Sequence, residues 1–183
     1  PTVNAGLNDT ICVGEFAQLQ ASGAISYVWS PADSLSNVNI DNPIADPSVS
    51  IDYIVTGTDA NTCENSDTIR IVVNALPLVD AGNNEVICIG DTIPLLATGA
   101  VDYVWSPTLD LSDLSIANPD AFNIATSTFY VTGTDANGCV NIDSVEIAVN
   151  LLPIVSAGGD IAICLNDDTQ LQATGATTYV WSP

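Results

Sequence analysis

The stretch from Ile11 to Pro31, opening Ile-Cys-Val-Gly and closing Tyr-Val-Trp-Ser-Pro, is written again from Ile87 to Pro107 and a third time from Ile163 to Pro183. Cys12, Cys88 and Cys164 are 76 residues apart, as are Trp29, Trp105 and Trp181. The same step relates Cys63 to Cys139 and Tyr53 to Phe129. A fixed period without slippage means one folded unit duplicated in tandem. Units are therefore expected at residues 1–76 and 77–152, with residues 153–183 as the first part of a third. The unfinished third unit is read as a window onto a longer chain.

Such a unit must fold despite an unusual charge balance. Twenty-two acidic residues face one basic residue, Arg70, and the net charge is −21. Acidic chains that stay disordered are poor in apolar residues, whereas 47% of this one is apolar, so a folded state is expected. The charge excludes nucleic acid and anionic membrane as partners. No apolar run approaches the roughly 20 residues of a membrane span.

The cysteines follow the period. Cys12 to Cys63 and Cys88 to Cys139 are each separated by 51 residues, one pair per complete unit, while Cys164 has its partner beyond Pro183. That arithmetic predicts one disulfide inside each repeat, Cys12 with Cys63 and Cys88 with Cys139. Metal binding by these thiolates would want clustered cysteines or histidines, and the chain has no histidine. Disulfides place the chain in an oxidising, extracellular compartment.

Within a unit the hydrophobic period is two. Residues 16–21, 53–56 and 68–73 alternate apolar with polar and are rich in β-branched side chains, which is the pattern of half-buried strands. Turn residues separate them at Ser22-Gly23, Ser30-Pro31, Asn42-Pro43, Asp46-Pro47 and Asp59-Ala60-Asn61, and Asn137-Gly138 gives the second unit a strong hairpin signal. Strands are expected near 2–5, 9–13, 16–21, 26–30, 43–46, 51–58 and 66–74. Seven short strands with regular turns predict an all-β fold of tandem β-sandwich domains.

The strand ending Tyr27-Val28-Trp29-Ser30-Pro31, followed by Tyr53-Ile54-Val55-Thr56-Gly57-Thr58-Asp59-Ala60-Asn61 and a cysteine, resembles the PKD-type immunoglobulin-like repeats. More narrowly, it resembles the tandem repeats of giant surface adhesins exported by the type IX secretion system of gliding bacteria. The resemblance covers the whole chain. It implies immunoglobulin-like sandwiches, export to the cell surface, and a spacer or adhesive role without catalytic residues. Cys63 departs from the immunoglobulin pattern by lying ten residues after Tyr53, in or after the hairpin turn, so its bridge is expected at one pole of the sandwich.

Trp29 and Trp105 are read as the core keystones of their units, against the alternative of exposed platforms for stacking sugars. The junctions Val73-Asn74-Ala75-Leu76-Pro77 and Val149-Asn150-Leu151-Leu152-Pro153 are short and contain proline, which predicts a semi-rigid rod with apolar contacts between neighbouring repeats.

Two further readings stand beside ordinary structural ones. An intra-repeat bridge would bring Glu15 to Asp59 and Asn61, and Asp91 to Asp135 and Asn137, oxygen ligands of the kind Ca²⁺ takes. The same side chains serve turns through their own backbone hydrogen bonds. Asp followed by Ser or Thr and an aliphatic residue recurs at Thr10, Ser34, Thr68, Thr92 and Ser144, resembling a bacterial O-glycan acceptor motif; the plain alternative is that such triplets start strands. Catalysis has little to draw on, because the chain lacks His and Lys and its cysteines fit disulfides. No cofactor is required. The function expected is an extracellular stalk or fibre of a large secreted adhesin, used for attachment, gliding or prey capture. Its partners are neighbouring repeats of its own chain and like chains in a homo-oligomeric fibre. A carbohydrate-binding module is the alternative.

Overall fold

The computed structural model of the 183-residue chain describes every residue except Asn123. Two β-sandwiches follow one another. The first is built from β1 (Asp9–Cys12), β2 (Ala17–Gln18), β3 (Ser26–Ser30), β4 (Ile44–Ala45), β5 (Ile51–Thr58) and β6 (Glu64–Asn74). The second repeats the order with β7 (Glu85–Cys88), β8 (Ile93–Pro94), β9 (Asp102–Ser106), β10 (Asp120–Ala121), β11 (Ser127–Thr134) and β12 (Val140–Asn150). In each, a four-stranded sheet (β1-β6-β5-β3, and β7-β12-β11-β9) faces a two-stranded one (β2-β4, and β8-β10). All pairs are antiparallel except the edge pairs β1–β6 and β7–β12, which are parallel. The fold is an all-β, immunoglobulin-like sandwich used in tandem.

Alternation along the strands explains what is buried. In β6, Ile69 and Ile71 turn inward while Thr68 and Arg70 face solvent, the period-two signature of a sheet with one wet face. Trp29 lies opposite Val55, and Tyr53 opposite Ile69; these four side chains and Leu19 close the first core. Trp105, Val131, Phe129, Val145 and Leu95 do the same in the second. Both tryptophans are core residues, 2% and 1% exposed, and each indole N–H donates to a backbone carbonyl, Ile40 at 2.9 Å and Ile116 at 3.0 Å. A buried Trp needs such a partner.

Six strands form per sandwich where seven are expected. Residues 2–5 pair only through a bridge between Asn4 and Ser22, repeated at Asp80 and Thr98. The bridge is held down by a carboxylate from the other sheet: Ala5 N–H donates to Asp67 at 2.8 Å, and Ala81 N–H to Asp143 at 2.8 Å. The expected strand at 16–21 is regular only over Ala17–Gln18, although Leu19 and Ala21 still turn inward and donate to Pro43 and Asp41 carbonyls. Gly57 and Gly133 allow the bridged segment to lie against β5 and β11. A Cβ at Gly57 would lie 2.6 Å from Ala24 Cβ and 2.7 Å from a Val3 methyl, and one at Gly133 would meet Ala100 and Val79 as closely.

Residues 153–183 follow the second sandwich. They keep the Ser156–Thr174 bridge and a tight corner in which Tyr179 Oη accepts from Ala176 N–H and donates to its carbonyl. The same corner stands at Tyr27 and Tyr103. Trp181 is 49% exposed.

Candidate functional site at the joint between repeats

The structure places a disulfide between Cys12 and Cys139, with Cα atoms 5.6 Å apart and 127 residues between them in sequence. This corrects the expected pairing of Cys12 with Cys63 and Cys88 with Cys139; Cys63, Cys88 and Cys164 are free and exposed. The reason lies in the parallel edge strand. Cys12 pairs in register with Asn74, the last residue of β6, whereas Cys63 immediately precedes the first, Glu64. Eleven residues of strand separate them, roughly 37 Å at about 3.4 Å per residue. Cys88 and Cys139 stand at opposite ends of β12 in the same way. No bridge spans that distance. Each unit thus carries one cysteine at the pole where its chain enters and one where it leaves. The departing pole of the first repeat meets the entering pole of the second.

Each half of the bridge is prepared by a carboxylate. Cys12 N–H donates to Glu15 at 2.8 Å, within a turn closed by Glu15 N–H to Cys12 carbonyl. Cys139 N–H donates to Asp135 at 2.9 Å, and Asn137 N–H joins it at 2.8 Å. Burial pushes the Asp135 carboxyl up, but the N–H groups of Cys139 and Asn137 outweigh it and hold the carboxyl below its usual value. Two of the free cysteines are prepared alike: Cys88 N–H donates to Asp91 at 3.2 Å, and Cys63 and Asn61 N–H donate to Asp59 at 3.0 and 2.8 Å. Those bonds, from Cys63 first and Asn61 second, also lower the Asp59 carboxyl.

Contact between repeats shows in burial. Cys139 is fully buried and its counterpart Cys63 exposed; Cys12 is half-buried and its counterpart Cys88 exposed. Pro77 is buried within the second sandwich, where Asn141 Nδ2 donates to its carbonyl at 3.0 Å, as Asn65 Nδ2 does to the Pro1 carbonyl in the first at 3.0 Å. Leu76 is half-buried, while Leu151 and Leu152 are 78% and 60% exposed. Of the residues expected to pack between repeats, Leu76 is thus partly covered, whereas Leu151 and Leu152 are not.

The calcium reading fails for the pairs it named. Glu15 and Asp59 lie at opposite poles of one sandwich, as do Asp91 and Asp135, and each carboxylate is committed to its own turn. Among the described residues no group of three or more His, Cys, Asp or Glu is arranged to hold a metal ion. The five O-glycan candidates Thr10, Ser34, Thr68, Thr92 and Ser144 are all exposed. Two of the aspartates in those triplets, Asp67 and Asp143, have structural work of their own in holding Ala5 and Ala81. A cleft of about 520 Å³ opens between the sheets of the second repeat, lined by Asp80, Gly82, Glu85, Leu96, Val145 and Ile147 among others, with no aromatic ring in its wall.

The chain matches no protein-family model, and no curated protein matches it. Among solved structures it is similar to the Ig1 and Ig2 domains of DIP-gamma, with TM-score 0.40 and 12% identity, over 81% of this chain and 98% of that one. It is similar to the insect immune protein hemolin, with TM-score 0.41 and 12% identity, over 80% of this chain and 46% of that one. Fibronectin(III)-like modules of Clostridium thermocellum CbhA give TM-score 0.35 and 11% identity, over 82% of this chain and 95% of that one. No helix among the described residues is long and apolar enough to cross a membrane.

Proposed function

We propose that this chain is a load-bearing repeat region, the stalk or fibre of a large adhesin at the bacterial surface, with units at 1–76, 77–152 and 153–183. The observation that carries this reading is the covalent joint. The first two repeats are connected both by the backbone through Leu76-Pro77 and by the Cys12–Cys139 bond, and two covalent crossings at one junction oppose bending as well as separation. A disulfide fits an oxidising compartment outside the cytoplasm. The resemblance to PKD-like repeats of type IX-secreted adhesins supports the same assignment, and the resemblance brings no catalytic residues with it.

Association with like chains in a fibre has its own support. On the solvent face of the larger sheet of the second repeat, Val104, Tyr130 and Ile142 are 59%, 50% and 60% exposed, with Thr132, Ser106 and Ser144 in the same cross-strand rows. Val28, Ile54, Thr56, Ser66 and Thr68 occupy the matching rows of the first repeat. These two rows are an uncharged band, bordered on the same face by Asp102 and Glu146 in the second repeat and by Glu64, Asp52 and Arg70 in the first, and on a chain of net charge −21 such a band is where like chains can approach. Binding of sugars by stacking finds less support: Trp29 and Trp105 of the two complete sandwiches are buried, and the exposed Phe16, Phe122 and Tyr130 each appear in one repeat only.

Small-angle scattering from the chain at near-physiological salt tests the rod. An elongated particle whose length is unchanged between 50 and 500 mM salt is expected; a compact envelope, or a broad distribution of bend angles, contradicts it.

A further inference from the structure

We infer that the Cys12–Cys139 joint is one instance of a staple repeated along the array: Cys88 and Cys164 each bond the hairpin cysteine of the following unit, 127 residues further on, and Cys63 bonds the edge-strand cysteine of the unit before it. This rests on the stalk reading. Two independent observations carry it. The equivalent residues are already bonded in the one junction between complete repeats, which shows that the period of 76 and the shape of the unit bring the two poles to bonding distance. Two of the three unbonded cysteines, Cys88 and Cys63, also sit in the same prepared turns, their N–H groups held by Asp91 and Asp59 as those of Cys12 and Cys139 are held by Glu15 and Asp135. Exposure of Cys88 and Cys63 is then the exposure of half a joint.

Each bond forms by thiol–disulfide exchange. One thiolate attacks an external protein disulfide, the second displaces it, and the two thiols give up two protons and two electrons as the donor disulfide is reduced to a dithiol.

The consequence is mechanical. From Cys12 the shortest covalent path crosses the bridge to Cys139 and needs only the 25 residues to Cys164 before crossing the next. Those 25 residues, drawn fully straight at about 3.4 Å each, reach roughly 85 Å. Two folded repeats, each about as long as its 11-residue last strand, already span roughly 75 Å. A stapled array therefore has almost no slack: full stretch is about 1.2 times the folded length once the bridge itself is included. With the bridges reduced, the 152 residues of two units reach roughly 520 Å, about seven times the folded length.

The test uses the full natural chain, with thiols blocked by iodoacetamide before any handling. Digestion at aspartate without reduction, followed by mass spectrometry, is expected to yield the Ile-Cys-Ile-Gly peptide of Cys88 linked to a hairpin peptide of the next unit. Cys88 recovered alkylated, or linked to Cys139, overturns the inference. Pulling single molecules gives the second readout: extension near 1.2-fold when oxidised and several-fold after a reductant is expected, and several-fold extension in both states also overturns it. The stalk reading fails separately, through a compact or freely bent shape in scattering with the staples mapped in place.

Discussion

Removing the bridge should loosen each repeat by an amount the structure fixes. Cys12 sits beside Asn74, so when the second repeat alone unfolds, the bridge closes a loop from Asn74 to Cys139 of 65 residues. When the first alone unfolds, Cys139 is held near Pro77, and the loop from Cys12 to Pro77 has the same length. The chain-entropy relation for a loop of that size gives about 4 kcal/mol of stabilisation for either repeat. In a domain this small that corresponds to a fall in Tm on the order of 15–30 °C when it is lost. The assay is differential scanning calorimetry of a parent chain carrying Cys63→Ser, Cys88→Ser and Cys164→Ser, which prevents exchange, against the same chain with Cys12→Ser and Cys139→Ser added. Changing both partners leaves no orphan thiol, and reducing the parent should reproduce the drop. A Tm within about 3 °C of the parent would show that the bridge does not tie the two repeats together in the way described. A large fall caused by Cys63→Ser alone, in the otherwise unchanged chain, would point to pairing inside the repeat.

Three other outcomes follow from particular residues. Trp105→Ala should destabilise the second repeat by about 3–5 kcal/mol in urea unfolding, through the lost volume and the orphaned Ile116 carbonyl, with the first repeat unaffected. Thr62 holds φ at 62° in a turn where the second repeat has Gly138 at 83°; Thr62→Gly should raise the stability of the first repeat by about 0.5–1 kcal/mol, read from the same urea curves. Asp59, Asp67 and Asp135 have folded-state carboxyls below their usual value, so what they contribute is present above the unfolded value near pH 4 and is lost as pH falls through the folded ones. Melting temperature should therefore drop below about pH 4 with no comparable drop between pH 7 and 5, and Asp67→Asn should flatten part of that fall.

Much of the sandwich was legible because its signals are local. Alternation in 51–58 and 66–74 marked β5 and β6, and one large aromatic in each copy marked the core. The segment at 2–5 was misread as a strand for the opposite reason: its short apolar pattern is real, but Val3 and Ala5 are buried by a bridge and by the Asp67 carboxylate, a partner 62 residues away. The cysteines show the deeper limit. A separation of 51 within a unit and one of 127 between units differ by one period, so the sequence pattern is the same for both pairings. Only the parallel pairing of β1 with the end of β6 puts Cys12 and Cys63 at opposite poles, and parallel partners distant in sequence leave no local mark. One clue was present: the strand expected at 66–74 begins next to Cys63 and is too long for both of its ends to lie near one bridge. The calcium pairs fell with the disulfide pairing that had brought them together.

The Cys12–Cys139 bond is tested most directly by peptide mapping of this 183-residue chain, folded under oxidising conditions, alkylated, and digested without reduction. A linked pair of peptides containing Cys12 and Cys139, with Cys63 and Cys88 recovered in alkylated form, is the result predicted. Cys12 linked to Cys63, with Cys88 linked to Cys139, would contradict the joint and return each disulfide to the interior of its own repeat.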